Sequence, residues 1–108
     1  MIEPEKCRTM ADVRAGVDEV DERIVALLGV RMRFMDAAAR IKPHRDQVRD
    51  EDRKAAVIAH VRDAAARAGF PAAVAALLYD ALIEASIAYE LERFDALAAD
   101  RPPTSASA

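Results

Sequence analysis

From Val13 to Ile41 apolar residues recur in alternating steps of four and three: Val13, Val17, Val20, Ile24, Leu27, then position 31, Phe34, Ala38 and Ile41. A seam with this spacing over four heptads is one face of a single long helix. It predicts a helix of about 30 residues, roughly 45 Å long. That is longer than a 108-residue chain needs to cover its own core, so such a helix is expected to pack against another long helix. The helix should stop at Ile41 or Lys42, because the ring of Pro43 disfavours the α conformation at the residue before it.

Two further helices follow. The stretch from His44 to Arg49 is polar and reads as a loop, and Asp50 can cap a second helix with an apolar face of Val57, Val61, Ala64 and Ala65 beside Ile58. Gly69 suits the left-handed residue that ends it. Pro71 suits the first turn of a third helix carrying Val74, Leu77, Leu78, Leu82, Ile87, Leu91, Phe94 and Leu97. From Asp100 the tail has nothing to bury, so residues 1–99 are expected to form one helical domain and residues 100–108 a disordered tail. Ala supplies 25 of the 108 residues while Gly and aromatic residues are scarce, which fits an all-α fold of three helices, the first long. An alanine-rich core in so short a chain is thin and gains from a partner subunit.

Composition also limits the function. A net charge of -3 without a basic stripe argues against nucleic acid and anionic membranes as partners. Cys7 is the single cysteine, so no intrachain disulfide forms, and a reducing, cytoplasmic setting is expected. The first residues lack the pattern of a signal peptide, and no run approaches 18 apolar residues. His44 and His60 have no second ligand at metal spacing, and Gly16, Gly29 and Gly69 are too scattered for a phosphate loop. No metal and no cofactor is expected.

Charged residues stand where a core would be simpler. Arg31 occupies a seam position between Leu27 and Phe34. There it either sits at the seam's edge in a salt bridge or is buried against an anion. Lys42 lies 11 residues on, about 20° away on the same face and about 16 Å along the axis, so the two cations could clamp one small anion. Arg14 lies 28 residues before Lys42, about 42 Å along the same rod, too far to serve the same bound molecule. If Arg14 is more than a solvated charge, a two-fold dimer of antiparallel long helices would bring it to the other chain's site. Asp50 reads first as an N-cap, with Arg53 three residues on. Ser86 and Glu90 are one turn apart, either on a solvated face or facing inward at a cost.

Taken in order, these residues resemble the all-helical chorismate mutases, including the branch of isochorismate pyruvate lyases. The resemblance covers about residues 5–97. It is carried by Ala11-Asp12-Val13-Arg14, Val17-Asp18-Glu19-Val20-Asp21, Leu28-Gly29-Val30-Arg31-Met32, Lys42, Arg49-Asp50-Glu51-Asp52-Arg53 and Ser86-Ile87-Ala88-Tyr89-Glu90. It implies an intertwined helical homodimer with two sites, each taking one Arg from the partner. By this resemblance a partner copy's Arg14 together with Arg31 would bind the carboxylates of chorismate or isochorismate, and Arg53 would help close the site. Lys42 would donate to the ether oxygen and a carboxylate, Asp50 would meet the ring hydroxyl side, Ser86 would line the carboxylate pocket, and Glu90 would be the second donor to the ether oxygen. Lys42, Glu90 and Arg31 would then be the catalytic set.

Conversion of chorismate to prephenate is pericyclic, so such a site has only to hold the compact conformer and stabilise charge on the ether oxygen. Two features depart from the pattern. Many members carry Gln where this chain has Glu90, and an ionised Glu cannot donate a hydrogen bond, so Glu90 must hold a proton to work. Lys54 stands where typical mutases have a Glu that contacts the substrate hydroxyl. The stretch from Cys7 to Asp21 looks lyase-like, while Arg49-Asp50 and Ser86 look mutase-like. The expected activity is chorismate mutase, with isochorismate pyruvate lyase as the alternative and a non-catalytic helical dimer module as the third reading. Whether Pro43 to Gln47 forms a mobile lid is left open by the sequence.

Overall fold

The structure, a computed structural model, describes residues 2–100. Among them the order is a 3-10 turn at Pro4–Lys6, helix α1 at Met10–Ile41, a second 3-10 turn at Arg45–Gln47, helix α2 at Glu51–Ala68 and helix α3 at Ala72–Asp100, with no strand. The all-α class and the three helices agree with the sequence reading, and both 3-10 turns are additions to it. The chain divides into two compact units, the first ending at Phe34 and the second beginning at Met35.

In the first unit α1 opens with local capping. Thr9 Oγ1 accepts the Asp12 N–H at 3.1 Å, and Asp12 Oδ2 accepts the Arg8 N–H at 3.1 Å, which occupies donors that a helix start leaves unpaired. The seam residues Val13, Val17, Val20, Ile24, Leu27 and Phe34 are all exposed, Leu27 at 69% and Phe34 at 67%. An apolar groove runs beside Ile2, Pro4, Cys7, Val13, Val17 and Val20.

The second unit holds the core. Here α1 ends as expected at Ile41, where the Lys42 N–H still reaches the Ala38 carbonyl at 2.9 Å before Pro43 stops the pattern. The loop is not featureless, because the His44 N–H donates to Gln47 Oε1 at 3.2 Å and fixes the Arg45–Gln47 turn. Val48 then packs with Ala39 and Phe94, joined by Ile87, Leu91 and Leu97. Asp50 caps α2, its Oδ1 accepting the Arg53 N–H at 3.0 Å. Gly69 ends α2 at φ 75, the left-handed region, with Phe70 N–H on the Ala65 carbonyl at 2.8 Å.

Helix α2 packs on α3, with Val57, Ile58, Val61 and Ala64 half-buried and Ala65 buried, the face the sequence indicated. Helix α3 corrects the reading in two respects. Its buried line is Ala75, Ile83, Ser86, Glu90 and Phe94, whereas Val74, Leu77 and Leu78 are exposed, Leu77 at 72%. It also runs through Asp100, which was expected to begin the tail; the expected disorder of residues 101–108 falls outside the described residues. The reason for the first difference is that α3 is apolar nearly all round: one 18-residue window has a mean hydropathy of 1.5. By length and composition alone α3 could cross a membrane, contrary to the expectation that no run comes near that measure, although core helices share the property.

Candidate active site

Helix α3 places Ile83, Ser86, Glu90 and Phe94 on one stripe at steps of three and four, and the stripe faces inward. Two polar residues therefore enter the core: Ser86 is 3% exposed and Glu90 4%. Each has a partner. Ser86 Oγ donates to the Leu82 carbonyl one turn back at 2.7 Å, a local bond to the helix's own backbone. Glu90 Oε2 accepts from Lys42 Nζ at 2.8 Å, with the Lys42 side chain 30% exposed. A carboxylate this deep requires a cation, and the residue at the end of α1 supplies it. The alternative of a solvated face for Ser86 and Glu90 is thus overturned.

At the start of α2, Asp50 is occupied as the cap while Arg53 is exposed. An open depression beside Lys42 is lined by Ile41, Pro43, Gln47, Asp50 and Asp52 among others. Lys54 is turned to α3, where its Nζ lies 2.9 Å from Asp80 Oδ1 and 3.0 Å from Glu84 Oε2. Arg49 joins the same acid, with Nη1 and Nη2 donating to the two oxygens of Glu84 at 3.1 and 2.7 Å, and Nη1 also reaching Glu51 at 2.9 Å. Hydrogen bonds from Arg49 and then Lys54 hold the Glu84 carboxyl down at about 2, and the same contacts raise Arg49 and Lys54. Arg45 makes a second fork, Nε and Nη2 to the two oxygens of Asp95 at 2.9 and 3.3 Å, which lowers the Asp95 carboxyl and raises Arg45.

Arg45, Asp80, Glu84 and Asp95 were not singled out by the sequence. Their contacts join residues 26 to 50 positions apart, and periodicity carries no information at that separation. A third cluster lies nearby, where Tyr89 Oη donates to Asp36 Oδ1 at 2.6 Å and Arg93 Nε lies 3.3 Å from the same oxygen. That bond to Asp36 raises the Tyr89 hydroxyl.

Arg14 and Arg31 belong to the first unit. Arg14 is exposed on α1, and Arg31 is half-buried and engaged with a partner. The structure brings together Lys42 with Glu90, and Asp50 with the backbone of Arg53. Among the described residues no three His, Cys, Asp or Glu side chains are grouped to hold a metal.

A half-buried Lys42 that pairs with buried Glu90 and also lines a polar depression, with Ser86 one turn from Glu90 on the same stripe, is suited to binding and polarising a small anion. The model of the family described as chorismate mutase type II matches residues 13–91, about three quarters of the chain. The chain belongs to the chorismate mutase type II family. Arg14, Arg31, Lys42, Asp50, Arg53, Ser86 and Glu90 all fall inside the matched region of this family. The chain is also similar to the isochorismate pyruvate lyase of Pseudomonas aeruginosa, with 38% identity over 55 residues, or 51% of this chain and 54% of that protein. The match thus spans about half the length of that relative.

Proposed function

We propose that the chain is a chorismate mutase, turning chorismate into prephenate without a covalent intermediate. The observation that carries this reading is the pairing of Lys42 with buried Glu90 in a chain of the chorismate mutase type II family. Lys42 would donate to the ether oxygen and one carboxylate of the substrate. Glu90 would be the second group at the same oxygen, and together with Lys42 it would stabilise the charge that grows there as the bond breaks. Arg31 and a partner copy's Arg14 would hold the two carboxylates, since a guanidinium fork matches a carboxylate. Arg53 would help close the site, Ser86 would accept its place in the carboxylate pocket, and Asp50 would face the ring hydroxyl while capping α2. A pericyclic step needs neither metal nor cofactor.

This reading includes a homodimer. It is supported in the first unit by the bare seam of α1, and in the second by exposed Val74, Leu77 and Leu78 on α3. Apolar faces of that extent call for a cover. A reducing, cytoplasmic setting also belongs to it and rests on the lone Cys7.

The second reading is isochorismate pyruvate lyase, favoured by the similarity to the Pseudomonas aeruginosa protein of that name. The lyase reaction on isochorismate is also pericyclic and can use the same cations. Incubation with chorismate and with isochorismate, separately, at pH 5 and pH 7.5 decides between them. Prephenate from chorismate is the expected product. Salicylate and pyruvate from isochorismate as the faster reaction would transfer the protein to the lyase reading, and no turnover of either would leave the helical dimer module. Under the mutase reading Glu90→Ala loses most of the turnover, whereas Glu90→Gln, which keeps a polar group at the same place, retains more of it. Turnover by Glu90→Ala equal to that of the unmodified chain would remove Glu90 from the site.

A further inference from the structure

The segment between α1 and α2 carries Lys42 at its start and Asp50 at its end, and only the Arg45–Gln47 turn gives it regular structure. It is nevertheless fastened at three points. Val48 is buried against Ala39 and Phe94. On one side of it Arg45 forks onto Asp95, and on the other Arg49 forks onto Glu84. Glu84 and Asp95 are 11 residues apart on α3, hence within about 20° of one face and about 16 Å along the axis. Glu90 lies between them in the same helix, at the level where Lys42 arrives. Lys54 adds the first turn of α2 to Glu84.

We propose that Glu84 and Asp95 are positioning residues, whose two clamps lay residues 43–50 along α3 and so hold Lys42 on Glu90 and the start of α2 against α3. Lys54 is then a fastening residue, committed to Asp80 and Glu84, and not a substrate contact. The loop is a strap pinned to α3. Forked Arg–carboxylate pairs are suited to this because two parallel bonds fix orientation as well as distance. The pairs are also exposed, at 58% and 54% for Arg45 and Asp95, so salt weakens them. The catalytic consequence rests on the proposed function, whereas the clamping itself does not.

Hydrogen exchange of the backbone over residues 43–50 tests the clamps, in the unmodified chain, in Asp95→Asn and in Glu84→Gln/Asp95→Asn. Asp95→Asn touches one exposed pair and leaves the core intact, so it reports even if the double variant folds poorly. Exchange in that segment should quicken by about threefold in the single variant and about tenfold in the double. Asp63→Asn, which removes an equally exposed pair with Arg67 on α2, should leave it unchanged. With whichever of the two substrates turns over, kcat/KM should fall about tenfold in the double variant, as expected for a mispositioned donor, and Arg45→Asp/Asp95→Arg should recover most of what Asp95→Asn loses. Exchange in the double variant equal to that of the unmodified chain overturns the clamps. Faster exchange with kcat/KM unchanged overturns their positioning role. If neither chorismate nor isochorismate is turned over by the unmodified chain, the proposed function falls, and exchange alone decides the clamps.

Discussion

Glu90 is an acid on a buried stripe, and Lys42 is what keeps it there. Removing the cation strands the carboxylate, so Lys42→Met should lower stability by about 2–4 kcal/mol in urea at pH 7. Glu90→Gln keeps an acceptor for Lys42 and should lower it by less than about 1 kcal/mol. Equal losses in the two variants would mean that the pair does not act as a charge pair. Glu84 gives a pH signature of its own. Arg49 and Lys54 hold its carboxyl at about 2, below the ordinary 4.5, so the folded state binds its proton less readily than the unfolded chain does. The stability this supplies is present above the ordinary value and is lost as pH falls from about 5 to about 2. Urea midpoints at pH 7, 4 and 3 should therefore drop less steeply in Glu84→Gln, by a modest margin because the pair is exposed. At this scale the 86 and 90 spacing was legible as one shared face. Which way that face turned was not, since a serine and a glutamate are equally compatible with water.

The elements stop and start where single residues dictate. Gly69 adopts φ 75, with open space where a Cβ would go, so Gly69→Ala meets no clash and only the conformational penalty of a left-handed residue, about 1 kcal/mol. Asp50→Ala loses the cap on Arg53 N–H and should cost about 1 kcal/mol. Thermal melts of the two variants check both figures, and a Gly69→Ala variant as stable as the parent would contradict the left-handed turn. These boundaries were legible because each depends on a few adjacent residues. The Arg45–Gln47 turn was not, because its signal is a single side-chain bond from Gln47 back to the His44 backbone, easily passed over in a polar run.

For the whole molecule the decisive feature is the apolar surface that one chain leaves bare. Val13, Val17, Val20, Ile24 and Leu27 follow the seam pattern and remain exposed, which is the expected state of a helix that finishes its core with a second copy. Sedimentation at micromolar concentration should give a dimer, and the melting temperature should rise with protein concentration. If the proposed shared-site homodimer holds, Ile24→Asp/Leu27→Glu should shift the protein to monomer and abolish turnover, because it separates a partner copy's Arg14 from the site. A monomeric parent chain with full activity would exclude the shared-site arrangement.

The helical class, the length of α1 and its termination at Pro43, the cap at Asp50 and the left-handed stop at Gly69 were all legible in the order of residues. All of these follow from backbone physics acting over a few residues or from a regular apolar period. The sequence also supplied the ordered set of charges that resembles the chorismate mutases. Which side of α3 turns inward was settled by packing, since a helix apolar on nearly every face offers no contrast for periodicity to read. The tertiary structure alone paired Lys42 with Glu90, Arg49 with Glu84 and Arg45 with Asp95, across separations of 48, 35 and 50 residues. Such pairs form because packing brings distant segments within bonding distance, a condition that no local pattern in the chain encodes.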